Sequence, residues 1–558
     1  MACSKIFLGD LPELINKIIQ YFHINDYKTL HSCILVNRLW CRVTIPLLWE
    51  DPFSIESPKN YRFIEIYLCF LNEDSKAKFD EYGINDNLLV PSNNTLFNYP
   101  SFIKYLDTDK IFYSIKYWVN TLVDKYNDKL IYIIYRSLFE VFIGNEGNIY
   151  SFKFKMSNNY DYMDLILQNP NLICNIRNLN LNGCAIQFQN IIPLLKFLYS
   201  NCNSISSIIF DFNVYFSINN YSLIEKCLTQ IIISQHNLKK ILFRIFSNLN
   251  LYNPFLSLKN SNCSNTLNTI IFYSTNFKTI INILYEVFDH LNVLESIHLI
   301  YCNYLNSDFV QQIIKVTKPF KLRTLIMNFE ITHILCIESL LLLLQKFGNY
   351  LENFGLEFVD IIDDYYEPRS KRQLFEIIMK NCKNIRYFDS NVFDDNNIYL
   401  IIKNNQHNIN YLTIEVNFYD YDTVYNEFSS TVLKNLGQIL PSKLEYLCLT
   451  LLFNNSDLEI FLKNSQNTFI KKLLIRNIVV NEDENINNIN ILFYIKKYIL
   501  KKERVKYLAI LESDNDEDEL FFFKEEVNEF KLYNIIVQKY DDLCIYHYSY
   551  IINNYLQY

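Results

Sequence analysis

Glycine is scarce in this sequence, with eight glycines in 558 residues where a globular protein usually has ~7%. Nucleotide-binding loops need clustered glycines, because their backbone turns tightly and approaches a phosphate closely. The glycines present are scattered from Gly9 to Gly437 and form neither a dinucleotide-binding nor a P-loop fingerprint. The sequence therefore excludes the common nucleotide-binding classes.

Metal-binding and catalytic motifs are also missing. None of the fourteen cysteines stands in a CxxC pair, and the eight histidines form neither HExxH nor a zinc-type spacing. There is no GxSxG, and paired carboxylates such as Asp363 and Asp364 lie in polar stretches typical of solvated turns. We therefore predict a protein without catalytic residues, metal or cofactor, whose cysteines are reduced and mostly buried.

Charge and hydropathy exclude further classes of protein. The net charge is -8, from 52 basic and 60 acidic residues, whereas a nucleic-acid binder usually has a basic excess. No uncharged apolar run reaches the ~18 residues of a membrane span; the best candidate, Ile331 to Leu344, contains Glu338. Half of the residues are hydrophobic, which is typical of a folded chain. We expect a cytoplasmic and/or nuclear protein that binds neither nucleic acid nor membranes.

One apolar pattern recurs along most of the chain. Writing φ for an apolar residue, φxxφxφ recurs in thirteen copies between residues 149 and 510, one of which, at Ile385 and Phe388, ends on Ser390. The mean spacing is about 30 residues. Segments with helical periodicity, such as Leu223–Ile233 and Ile337–Phe347, follow most copies. Each unit predicts a short strand and a helix, and stacked units would share one continuous core.

This pattern resembles the leucine-rich repeat in its longer strand-plus-helix form. The repeat carries an Asn or Cys after its strand. Only some copies match this position, with Cys184, Asn213, Cys302 and Asn417, so the copies are degenerate. The resemblance implies an α/β solenoid horseshoe of about 12–13 repeats over residues 149–515. Residues 53–148 would form a helical linker and N-terminal cap, and residues 516–558 a C-terminal cap.

The N-terminal residues follow a different pattern. Asp10 and Glu13 are spaced as a helix-opening pair, and apolar residues from Leu14 to Phe22 follow at helical spacing. Two further short helices are expected before Trp49, with more large apolar side chains than so small a core can bury. The string LPELINKIIQYF…LHSCILVNRLWCRVTIPLLW strongly resembles the F-box motif, although its Leu-Pro-Glu is contiguous where F-boxes usually have Leu-Pro-x-Glu. We assign residues 1–52 to this domain.

An F-box followed by leucine-rich repeats implies a substrate-recognition adaptor of a Skp–cullin–F-box type ubiquitin ligase. Its partners would be a Skp-family adaptor, through it a cullin, and a protein substrate held by the repeats. The protein would not itself be an enzyme. Two alternatives stay open: a non-ligase interaction scaffold that uses the F-box only to bind Skp, and an enzyme whose site the sequence does not reveal.

The resemblance also implies which residues bind Skp. They match the apolar docking positions of the family and comprise Leu11, Pro12, Leu14, Ile15, Ile18, Leu30, Val36, Trp40 and Trp49. In the alternative interpretation, Val36 and Trp40 pack in the core of the three helices.

Strand alternation predicts the substrate-binding face. In each repeat the third, fifth and seventh residues alternate with the buried ones, so they should lie on the concave side of the sheet. Leu325 and Leu412 should then be buried, and Ile326 and Thr413 exposed. The predicted substrate-binding set suits a partner segment that carries Lys or Arg, and comprises Glu357, Tyr387, Asp389, Tyr411, Glu415 and Tyr446. Alternatively, tyrosine recurs there because it is abundant and favoured in strands.

Overall fold

The protein is described from a computed structural model. It describes residues 12–22, 26–55, 58, 60–80, 95–122, 127–156, 163–183, 191–212, 221–245, 250–260, 262–329, 337–358, 368–391, 397–415, 424–477, 491–500, 502–512 and 519–556. The chain forms two compact units, residues 1–267 and 268–558.

The first unit begins with helices and continues with strands that alternate with helices. Its helices are α1 (Pro12–Tyr21), α2 (Tyr27–Ile34), α3 (Arg38–Leu48), α4 (Arg62–Leu68), α5 (Glu73–Asp80), α6 (Thr108–Leu122), α7 (Asp128–Gly144), α8 (Met163–Gln168), α9 (Ile192–Asn201), α10 (Tyr221–Ile233) and α11 (Tyr252–Asn260). Its strands are β1 (Tyr105–Asp107), β2 (Ser151–Met156), β3 (Asn178–Gly183), β4 (Ser207–Phe212) and β5 (Lys240–Ile245).

The second unit continues this alternation. Its strands are β6 (Thr269–Tyr273), β7 (Ser296–Ile300), β8 (Lys321–Phe329), β9 (Asn353–Phe358), β10 (Tyr387–Asn391), β11 (Tyr411–Glu415), β12 (Lys443–Leu451), β13 (Phe469–Asn477), β14 (Val505–Leu511) and β15 (Ile536–Val537). Its helices are α12 (Leu284–His290), α13 (Ser307–Lys315), α14 (Ile337–Phe347), α15 (Pro368–Asn381), α16 (Asn397–Asn404), α17 (Val424–Ile439), α18 (Asn455–Asn464), α19 (Ile491–Ile495), α20 (Lys524–Leu532), α21 (Tyr540–Leu543) and α22 (His547–Ile551).

Within each unit, every strand pairs in parallel with the strand that follows it in sequence. Parallel neighbours require a crossover connection, and a helix lies in almost every one of them. The α/β class, with parallel strands alternating with helices, is therefore confirmed. All thirteen copies of the apolar pattern coincide with strands β2 to β14, because each copy gives one side of the strand an apolar surface.

The register aligns the apolar positions of successive strands. Leu412 on β11 lies beside Phe388 on β10 and Leu447 on β12, and all three are fully buried. Phe277 packs against Phe272 of β6 and Phe309 of α13 with ring centroids about 5 Å apart, so this apolar side of the sheet forms the core with the helices. Burial of such side chains is the main stabilising contribution.

Buried amide side chains connect successive repeats. The Asn405 side chain, which is 1% exposed, accepts a hydrogen bond from the Ile385 amide at 3.0 Å and donates to the Cys382 carbonyl at 3.1 Å. Gln235 makes the same pair of bonds to Ile205 and Cys202 at 2.9 and 2.8 Å. Each amide satisfies backbone groups of the turn before a strand, which would otherwise be buried without partners.

Candidate functional site

A row of tyrosines crosses the second unit on the side of its sheet opposite the apolar core. Tyr387, Tyr411 and Tyr446 are direct neighbours on β10, β11 and β12, and their rings stack with centroids 6.2 and 6.3 Å apart. Asn353 on β9 and Thr324 on β8 continue the row. We call the side of the sheet that carries these five residues the tyrosine face.

Residues 540–556, the C-terminal segment, lie against the tyrosine face. The Tyr550 ring contacts the rings of Tyr387 and Tyr411, with centroids 4.5 and 4.8 Å away. Tyr387 and Tyr446 are each only 1% exposed, and burial raises the pKa of both hydroxyls above the usual range. These two predicted substrate-binding residues are therefore inaccessible while the C-terminal segment is in place.

His547 is the polar centre of the C-terminal segment. Its Nε2 lies 2.6 Å from Asp389 Oδ2, and its Nδ1 shares a 2.8 Å hydrogen bond with the Tyr301 hydroxyl. The Tyr387 hydroxyl donates to the same Asp389 oxygen at 3.2 Å. Nδ1 of a neutral imidazole can accept from the Tyr301 hydroxyl, whereas a protonated imidazole would form an ion pair with the Asp389 carboxylate.

The start of the C-terminal segment is held by hydrogen bonds to β12. The Tyr540 hydroxyl lies 3.1 Å from Thr450 Oγ1 and 3.2 Å from Cys448 Sγ, and the Ile545 amide donates to the Tyr446 hydroxyl at 3.2 Å. Burial raises the pKa of both Tyr540 and Cys448. Cys448 therefore stays a neutral thiol, which is a poor nucleophile.

Tyr555 covers the other end of the row. Its hydroxyl donates to Glu352 Oε2 at 3.0 Å and accepts from Asn353 Nδ2 at 2.9 Å, while its ring lies 4.2 Å from the His298 ring. Burial raises the pKa of Tyr555 to about 12 and lowers that of His298 to about 3. His298 is accordingly neutral at physiological pH and bonds Thr324 through Nδ1 at 2.7 Å.

Two of the three predicted acidic residues lie on the tyrosine face. Asp389 and Glu415 both reach the tyrosine face, whereas Glu357 lies in β9 with a side chain outside the described residues.

Ile326 and Thr413 were expected to be exposed, and this was wrong: they are 1% and 6% exposed. Both line a space that the C-terminal segment partly covers, so these side chains are buried on this side of the sheet as well.

Sequence reasoning missed the position of the C-terminal segment. Residues 516–558 were predicted as a cap, and β15 does pair with β14 at the end of the strand series, but residues 540–556 return along the tyrosine face. One signal was available: Tyr546, Tyr548, Tyr550 and Tyr555 place four aromatic side chains near His547. Such a cluster of aromatic side chains in a polar tail indicates that the segment packs against another part of the protein.

The three N-terminal helices form a small core of their own. Ile15 and Ile19 of α1, Leu30 and Cys33 of α2 and Trp40 of α3 are buried together. Each helix buries one face, because residues three or four apart lie on the same side. Ile15, Leu30 and Trp40, three of the residues predicted to bind Skp, thus hold the three helices together.

Other predicted Skp-binding residues remain accessible. Leu14 is 41% and Val36 46% exposed, and Ile18 is half-buried. The sequence did not single out two further exposed side chains, Tyr21 at 87% and Leu35 at 78%.

Trp49 is half-buried and points into the following helices. Its ring lies 5.2 Å from that of Tyr67 and 4.3 Å from that of Tyr99. Leu11 lies outside the described residues, as does the side chain of Pro12, the first residue of α1.

No family model matches the chain, and comparison with curated proteins gives no match. Among the described residues, no group of three or more His, Cys, Asp or Glu side chains is arranged to hold a metal ion. None of the described helices is long and apolar enough to cross a membrane.

Proposed function

We propose that this protein is a substrate adaptor of a Skp–cullin–F-box type ubiquitin ligase, with an F-box at residues 1–52 and a leucine-rich-repeat horseshoe of about 12–13 repeats at residues 149–515. The observation that carries the proposal is the N-terminal three-helix unit. Although it has a buried core, it leaves Leu14, Tyr21, Leu35 and Val36 exposed. Large apolar side chains exposed together on a small unit are typical of a protein interface.

The second part of the proposal concerns the repeats. An adaptor catalyses nothing; it raises the effective concentration of a substrate near the transferring enzyme. The tyrosine face offers tyrosines, carboxylates and hydroxyls, and it already binds a peptide segment, namely the chain's own residues 540–556. A substrate would bind beside this segment or displace it. If it displaces the segment, its apparent dissociation constant is the intrinsic one divided by the fraction of molecules in which the segment is undocked.

The Skp interaction can be tested with the full-length chain. Leu14→Asp combined with Val36→Asp should reduce the recovered Skp at least tenfold, because a charge placed in an apolar interface is desolvated without a partner. Both positions are exposed, so folding should be unaffected, and an unchanged melting temperature would verify this.

Gln20→Asp is the matched control, because Gln20 is exposed on a different face of α1 from Leu14 and Tyr21. It should recover as much Skp as the wild type. Equal Skp recovery by the double variant and the control would refute the proposed interface.

A further inference from the structure

A cavity of about 250 Å³ lies inside the second unit, between the tyrosine face and the C-terminal segment. The strands contribute Asp389, Glu415 and Tyr446 to its lining, and the segment contributes Tyr546 and His547. A water molecule takes up about 30 Å³ in the liquid, so this space is large enough for a side chain.

A glycine on β9 lies between two of the residues that line the cavity. Gly355 pairs with Ile326 on β8 and Asp389 on β10, and both of these residues line the cavity. A Cβ atom at position 355 would lie 3.1 Å from Ile326 Cγ2 and 3.5 Å from Asp389 Cβ, so a larger side chain would extend among the lining residues. Glycine weakens the interior of a strand and often marks a place where a ligand approaches closely. In a chain with eight glycines, this position favours a ligand site.

The cavity is electronegative. The carboxylates of Asp389 and Glu415 both line it, and His547 is the basic side chain among its described lining residues. Burial first, and then the negative charges of Glu415, Asp541 and Asp389, raise the pKa of the Cys544 thiol at its edge. A cation would be stabilised here, and an anion would be repelled.

One carboxylate of the cavity already binds a basic ring. Asp389 holds the imidazole of His547 at 2.6 Å, with the Tyr387 ring 5.5 Å from the imidazole. The chain's own segment thus shows the kind of group that fits here, a planar nitrogen base placed between a carboxylate and tyrosine rings. Glu415 lies in the same cavity and carries a second negative charge.

We propose that this cavity binds one basic side chain of a protein partner, an arginine or a lysine, with Asp389 and Glu415 as its counter-ions and tyrosine rings as its walls. Arginine is the better fit, because its planar guanidinium can donate to two carboxylates at once and stack on aromatic rings. This inference rests on the proposed function, since it names the feature by which a substrate segment would be recognised.

The test is a calorimetric titration of the full-length protein with Nα-acetyl-arginine amide, Nα-acetyl-lysine amide and the neutral isostere Nα-acetyl-citrulline amide. The arginine compound should bind with a dissociation constant on the order of 1 mM, the lysine compound more weakly, and the citrulline compound at least tenfold more weakly than arginine. Equal binding of the arginine and citrulline compounds would overturn the proposal.

Two variants locate the binding. Glu415→Gln removes one charge at constant shape, and Gly355→Val crowds Ile326 and Asp389, which line the cavity. Each should weaken arginine binding at least tenfold, whereas Glu295→Gln, an exposed carboxylate ahead of β7, should leave it unchanged. Wild-type affinity in Glu415→Gln would contradict the proposal even if Gly355→Val failed to fold. Skp recovery is measured separately, so a wild-type chain that recovers no Skp refutes the proposed function, and a wild-type chain that binds no arginine compound refutes the cavity.

Discussion

Replacing His547 by alanine is expected to loosen the C-terminal segment. The change removes the 2.6 Å contact to Asp389 and the hydrogen bond to Tyr301, worth roughly 1.5–3 and about 1 kcal/mol. It also removes the edge contact with the Tyr387 ring, worth about 0.5–1.5 kcal/mol. Since the contacts share one side chain, we expect a combined loss of about 3 kcal/mol in the free energy that holds the segment down.

Amide hydrogen exchange measures this quantity directly. Every 1.4 kcal/mol corresponds to a factor of ten, so amides of residues 540–556 should exchange roughly 100-fold faster in His547→Ala than in the wild type. Strands β10 and β11 should keep most of their protection, because their core side is packed against helices and does not involve the segment.

Asn553→Ala is the control, because Asn553 lies in the same segment and is exposed. It should leave the exchange rates within a few-fold of the wild type. Equal rates in His547→Ala and Asn553→Ala would refute the reasoning, as would a wild-type segment that exchanges as fast as an unprotected peptide.

Two further predictions concern stability. His298 has a folded pKa of about 3 against ~6.5 when unfolded; the unfolded chain therefore binds more protons, and stability falls as the pH is lowered from about 6.5 towards 3. By pH 4 the free energy of unfolding has fallen by about 3 kcal/mol through this residue. Urea denaturation between pH 7 and 4 should therefore show a smaller fall in the free energy of unfolding for His298→Gln than for the wild type. Parallel curves for the two proteins would contradict this. Asn405→Ala should lower the free energy of unfolding by about 1–3 kcal/mol, because it leaves buried backbone groups of the turn before β10 unpaired. Asn404→Ala, at an exposed neighbour, should cost far less, and equal denaturation midpoints would show that the buried amide contributes nothing.

The strands could be predicted from the sequence because each carries its own signal. Apolar residues such as Leu412 and Ile414 alternate along one side, and that side must be buried wherever the strand lies. The short strands β1 and β15 were not predicted, because two or three residues show no alternation. The register shift between β7 and β8, after Ile297, was missed because it depends on how two strands meet.

The candidate site was predictable only in part. The lateral row of Tyr387, Tyr411 and Tyr446 follows from aligning the repeats, and the structure brings these residues together. What covers them was not predictable, because the contact between His547 and Asp389 joins positions far apart in the sequence. Within the N-terminal helices, helical spacing identifies the apolar residues, but it did not separate buried Trp40 from exposed Val36.

The central claim is that the chain links a Skp-family adaptor and a cullin to a bound protein. The most direct measurement is the mass of the assembly formed when the purified full-length protein is mixed with a Skp-family adaptor and a cullin. The account predicts a complex with one copy of each, which is lost in the Leu14→Asp, Val36→Asp variant. A complex that contains Skp but excludes the cullin would contradict the ligase function and leave the interaction scaffold, and the absence of any complex would contradict both.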